Sequence, residues 1–122
     1  MILNSLFILD QLQLHENKLE AVVHLDEQHE VLKGHFPQQP VVPGVCMIEL
    51  VKELLEQGLQ CKLFMHQAPV SKFLTMLAPP HFTQANCQLQ FQWKTPNELQ
   101  VDGQLNWNEH IFLKLKASYL TR

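Results

Sequence analysis

The sequence predicts an α+β domain in which one long helix is set among a larger number of strands, and three observations carry that prediction. Residues 44–57 (GVCMIELVKELLEQ) form a proline-free run whose apolar side chains recur at helical spacing. Residues 84–93 and 111–119 instead alternate apolar with polar side chains, the period of a strand with one buried face. Turn-forming residues at 15–17, 96–97 and 106–109 separate the runs.

Taken in order, residues 3–14 and 18–25 read as two strands joined by the turn at 15–17, a first hairpin. Pro37, Pro40 and Pro43 then fix φ and remove amide donors, so residues 36–43 are expected to form a stiff extended loop. Pro43 is placed to open the helix. Met47, Ile48, Leu50, Val51, Leu54 and Leu55 fall on one apolar arc, and Gly58 is expected to end the helix at a C′ position. Beyond it, residues 61–66, 70–77, 84–93, 99–105 and 111–119 read as strands, which makes two before the helix and four or five after it.

Composition limits the function classes. A 122-residue chain that is 46% hydrophobic can bury one core, and no composition shift, repeat or low-complexity tract divides it, so residues 1–122 are expected to be a single domain. Its net charge of −3 argues against nucleic acid as a partner. The cysteines at 46, 61 and 87 give neither a disulfide nor a zinc framework. No run approaches the roughly eighteen apolar residues a membrane helix needs, and the apolar start MILNSLFILD lacks a basic region and a cleavage site. A cytoplasmic protein without membrane attachment is therefore expected.

Residues 34–50, GHFPQQPVVPGVCMIEL, carry the chemistry. A helix opening at Gly44 presents unpaired N–H groups and the positive end of the helix dipole, with no side chain to obstruct a ligand oxygen. Glu49 lies five residues further on, about 7.5 Å along the axis, and His35 precedes the helix in the loop. A base, an acid and an oxyanion donor are thus gathered in one segment. For Glu49 to donate a proton its pKa must be raised; Glu53 four residues on acts in that sense and Lys52 against it, and the sequence leaves the balance open. The histidines at 15, 24, 29, 35, 66, 81 and 110 form no metal-ligand set, so no metal and no cofactor held by the chain are expected. Cys46 reads as a small buried hydrophobe.

In register, this segment resembles the signature of the 3-hydroxyacyl-acyl carrier protein dehydratases, the FabA/FabZ group of the hotdog fold, which runs roughly GHFPG-x-P-hydrophobic-x-PGV-x-x-x-E. Gly34, His35, Phe36, Pro37, Pro40, Pro43, Gly44, Val45 and Glu49 all match it. The resemblance implies a curved antiparallel sheet wrapped around the central helix. It also implies His35 as the catalytic histidine, Glu49 as the catalytic carboxylate and the Gly44 amide as donor to the substrate thioester carbonyl. Phe36, Pro43 and Val45 would line the substrate. The substrate would arrive on the phosphopantetheine arm of an acyl carrier protein, and Lys33, Lys62 and Lys72 are the basic residues expected to meet that acidic partner. A homodimer or assembly of dimers is implied, with each site built from His and Glu of different chains.

The chain also departs from the pattern. Gln38 replaces a glycine, and LVKELLEQ after Glu49 replaces small residues and a glutamine. The leading expectation is dehydration of 3-hydroxyacyl thioesters to trans-2-enoyl thioesters in fatty-acid or a more specialised lipid, polyene or pigment metabolism. The alternatives are a non-catalytic acyl-binding or partner hotdog subunit, and a hotdog thioesterase using Glu49 to activate water.

Overall fold

The structure is a computed structural model that describes residues 2–35 and 40–122. Its first hairpin pairs β1 (Phe7–His15) with β2 (Lys18–Leu25). The first strand starts later than residue 3, because Asn4 takes a left-handed φ of 68° and turns the chain, which tucks Leu3 and Leu6 into the core. A short helix, α1 (Glu30–His35), follows where an irregular loop was expected. Its periodicity is too brief to register in sequence. Two contacts hold it: the Val31 amide donates to Nδ1 of His29 at 3.1 Å, and Leu32 is buried.

The central helix, α2 (Gly44–Leu59), runs past Gly58, and Gln60 takes the left-handed C-terminal position at φ 56°. Gly58 has a packing role instead. A Cβ there would lie 2.7 Å from Leu14 and 3.0 Å from Leu19, so the glycine lets α2 approach the first hairpin closely. Met47, Leu50, Val51, Leu54 and Leu55 are buried against the sheet, and Ile48 is partly buried. Each such leucine contributes on the order of 2 kcal/mol by leaving water.

Within residues 61–77 the structure has one long strand, β3 (Leu63–Phe73), where two were expected. Pro69 cannot donate to a ladder. The strand tolerates it because β3 lies at a sheet edge and shifts register between Met65 and Gln67 and again between Gln67 and Val70. The alternating runs then give β4 (Gln84–Thr95), β5 (Glu98–Trp107) and β6 (His110–Thr121), each slightly longer than the sequence suggests. The six strands are antiparallel in the order β1-β2-β4-β5-β6-β3. Their apolar face curls around α2, the hotdog arrangement that the motif implies. Among the described residues no helix is long and apolar enough to cross a membrane.

Candidate active site

The site is organised by the start of α2. Pro43 holds an extended φ and ψ of −62° and 146°, and its carbonyl accepts from the amides of Cys46 at 3.0 Å and Met47 at 3.4 Å. The Gly44 and Val45 amides have no acceptor among the described residues, as expected of a first helical turn. The approach to the helix is fixed by the Val42 amide, which donates to the Leu77 carbonyl at 2.9 Å. That bond brings the segment after β3 beside Gly44. A Cβ at Gly44 would stand 2.7 Å from the Phe73 ring, so the glycine admits this aromatic. Val45, Phe73, Leu74 and Met76 all stay exposed and give this end of the molecule an apolar rim.

Glu49 sits one turn further along α2. Its side chain is 40% exposed and Lys52 Nζ lies 3.1 Å from its carboxylate. Glu53, four residues on, is 3% exposed. Glu53 is thus a charged residue in a buried helix position. Its carboxylate accepts from the amide of Ile2 at 3.1 and 3.0 Å and from that of Leu3 at 2.9 Å, so it fastens the N-terminal segment over the helix.

These surroundings drive the two carboxyls apart. Burial raises the pKa of Glu49, a hydrogen bond to Glu53 raises it further, and Lys52 opposes without cancelling. Burial would also raise Glu53, but the hydrogen bonds from Glu49 and from the Ile2 and Leu3 amides outweigh it and hold Glu53 below its usual range. Burial, with the charge of Glu49, raises the Cys46 thiol, which disfavours a nucleophilic thiolate there. From β6, the buried Tyr119 hydroxyl has no hydrogen-bond partner among the described residues, and the charges of Cys87 and Glu49 act on it. Burial pushes the Cys87 thiol itself up to about 12.

The other expected residues are distributed unevenly. The His35 backbone closes α1, while its imidazole and Phe36 lie outside the described residues. Pro43 and Val45 flank Gly44. Lys72 precedes Phe73 and is exposed at this same end. Lys62 stands at the far end of β3, ten residues away and about 30 Å along an extended strand. Lys33 is exposed on α1. Two surface grooves of about 650 and 400 Å³ lie on the outer face of the sheet, and neither is lined by Gly44 or Glu49. Sequence reasoning found Glu53 only as a neighbouring charge and missed Tyr119, whose strand alternation marks it as core and nothing more.

Comparison with known proteins places this geometry in context. The ApeI-like family, described as ApeI dehydratase, matches residues 11–110. None of the curated proteins matches the chain. Among solved structures, the dehydratase heterocomplex ApeI:P from Xenorhabdus doucetiae contains a chain similar at a TM-score of 0.69 and 20% identity, over 93% of this chain and 97% of that one. A hypothetical thioesterase protein with coenzyme A from Streptococcus pneumoniae is similar at 0.65 and 8% identity, over 95% and 85% of the two chains. A mutant of a thioesterase enzyme from Staphylococcus aureus is similar at 0.65 and 8% identity, over 95% and 93%. At these identities the solved structures share the fold.

Proposed function

Because the chain belongs to the ApeI-like dehydratase family, we propose that it removes water from 3-hydroxyacyl thioesters carried by an acyl carrier protein. The observation that carries this reading over the hydrolytic one is the setting of Glu49. A thioesterase needs an ionised carboxylate to take a proton from water, whereas a dehydratase needs a carboxylic acid to protonate departing hydroxide. Burial and Glu53 favour the acid form.

In this reading His35, matched to the motif's histidine, removes the α-proton. The C–H electron pair becomes the C2=C3 double bond as the C3–O bond breaks, and Glu49 transfers its proton to the leaving oxygen, which departs as water. The Gly44 and Val45 amides are the donors available to the thioester oxygen as it gains negative charge; one such donor is worth roughly 3 kcal/mol in an oxyanion hole. Protons then exchange with solvent to restore the acid and the base. The apolar rim at Val45, Phe73, Leu74 and Met76 suits an acyl chain.

Lys72 is directly opposite Lys114 across β3 and β6, with no carboxylate partner for either among the described residues. Like charges so placed repel, and an acidic carrier in the cytoplasm would relieve them. The edge position of β3, next to Gly44, suits a second copy that brings its own His35. A hetero-assembly of two hotdog chains is the second reading, favoured because the X. doucetiae relative belongs to a dehydratase heterocomplex.

The test is mass spectrometry of 3-hydroxyacyl- and enoyl-carrier thioesters incubated with the wild type, His35→Ala and Glu49→Gln. Interconversion that falls by about 10²-fold or more in both variants supports the proposal. Free thiol released without any enoyl product would replace it with thioester hydrolysis. No turnover until a second hotdog chain is added would favour the hetero-assembly.

A further inference from the structure

Glu53 has three features that a passive helix residue lacks. It is a carboxylate in a core position between Leu50, Val51, Leu54 and Leu55. Both of its oxygens receive amide hydrogens from the N-terminal segment. Glu49 also lies on the adjacent turn of α2, four residues away, the spacing at which two side chains on one helix face meet. A carboxylate that accepts two N–H groups is strongly committed to its charged form, because protonating it would forfeit those charge-assisted bonds. Two carboxyls at this spacing can share a hydrogen bond only if one of them holds a proton, and the amides at Glu53 favour it as the acceptor and Glu49 as the donor.

We propose that Glu53 is the positioning residue for Glu49: pinned as a carboxylate by the Ile2 and Leu3 amides, it keeps one proton on the Glu49 carboxyl and aims that group toward the start of α2. This rests on the dehydratase reading for its catalytic meaning, though the pairing of the two carboxyls stands apart from it. It makes the N-terminal segment part of the site, since the amides that commit Glu53 to its charge come from residues 2 and 3.

The other groups around the pair are few. On α2, Lys52 lies 3.1 Å from Glu49 and favours its ionised form, while Cys46 lies within the field of Glu49. On β6, Tyr119 lies within the electrostatic reach of Glu49 and of Cys87 on β4. At Glu53 the charge of the amino terminus acts in the same sense as the two amides. Lys52 favours the ionised form of Glu49, and burial together with Glu53 opposes it.

Glu53→Gln separates the roles. The glutamine carbonyl still accepts from the Ile2 and Leu3 amides, so the fold is kept, but its NH₂ donates to Glu49 and rewards the ionised form. Side-chain ¹³C NMR of glutamate-labelled full-length protein follows each carboxyl through a pH titration, with Glu49→Gln assigning the Glu49 signal. In the wild type, one carboxyl should titrate above the ordinary glutamate range and a second below it. In Glu53→Gln the upper step should fall by about one unit or more. The alkaline limb of the dehydration rate profile should move with it, a tenfold loss of activity per unit, while KM stays near the wild-type value.

A Glu49 titration unchanged in folded Glu53→Gln overturns the proposal. So does a wild type in which both carboxyls titrate in the ordinary range, a result that needs no variant to fold. Split titrations in a protein that dehydrates nothing would uphold the pairing and remove the proposed function; dehydration without split titrations would do the reverse.

Discussion

Glu49 and Glu53 are the same side chain one helical turn apart, and their surroundings give them opposite tasks. Glu53 receives hydrogen bonds from two backbone amides, so Glu53→Ala should destabilise the fold by about 1–3 kcal/mol for the donors it strands, measured by urea denaturation near neutral pH. The pH dependence follows from the direction of its shift. A carboxyl whose folded pKa is lowered contributes stability above its unfolded value, and that contribution is lost as pH falls through the folded value, below the usual carboxylate range. The difference in stability between wild type and Glu53→Ala should therefore shrink between pH 5 and strongly acidic conditions; a constant difference would contradict it. Tyr119 presents the reverse case, a buried hydroxyl without a partner among the described residues. Removing it as Tyr119→Phe should leave stability unchanged or raise it by about 1 kcal/mol. A melting temperature that drops by several degrees would mean that the hydroxyl is satisfied in solution.

At the scale of elements, the strands with strict alternation were legible, while segments governed by edges and ends were not. Burial alternates from Ala85 to Phe91 in β4 and from Leu113 to Ala117 in β6, and period-2 sequence registers that directly. β3 has only one neighbour, β6, so its burial pattern is irregular and Pro69 made it look like two strands. Helix α2 was visible from its apolar arc, but Gly58 misled about its end because the glycine answers to a contact with Leu14 and Leu19 rather than to termination. The unpaired side of β3 is the element through which a second copy would reach the start of α2. In a homodimer joined there, hydrogen exchange should show alternate β3 amides protected at high protein concentration and released on dilution. Protection that ignores concentration would place the contact elsewhere.

At the scale of the whole molecule, the net charge is −3 and the Lys72–Lys114 pair is a local exception, the place where the proposed acidic carrier would dock. Lys72→Glu should raise KM for carrier-bound substrate several-fold and flatten its salt dependence, yet leave turnover of a short thioester analogue unchanged. An equal effect on both substrates would assign Lys72 to the fold or the chemistry instead. The candidate catalytic segment was readable in one dimension because His35, Gly44 and Glu49 lie within fifteen residues and depend on local backbone chemistry, namely prolines, a glycine and a helix start. The amphipathic arc and the alternating strands were readable for the same reason: burial on one face imposes a period on neighbouring residues. Only the tertiary structure sets the two carboxyls apart, favouring the acid form at Glu49 and the charged form at Glu53. The amides that fix Glu53 come from residues about fifty positions away, and Phe73 at the end of β3 meets Gly44 at the start of α2. A residue's charge state and its neighbours depend on what packing brings within a few ångströms, and that distance has no counterpart in sequence separation.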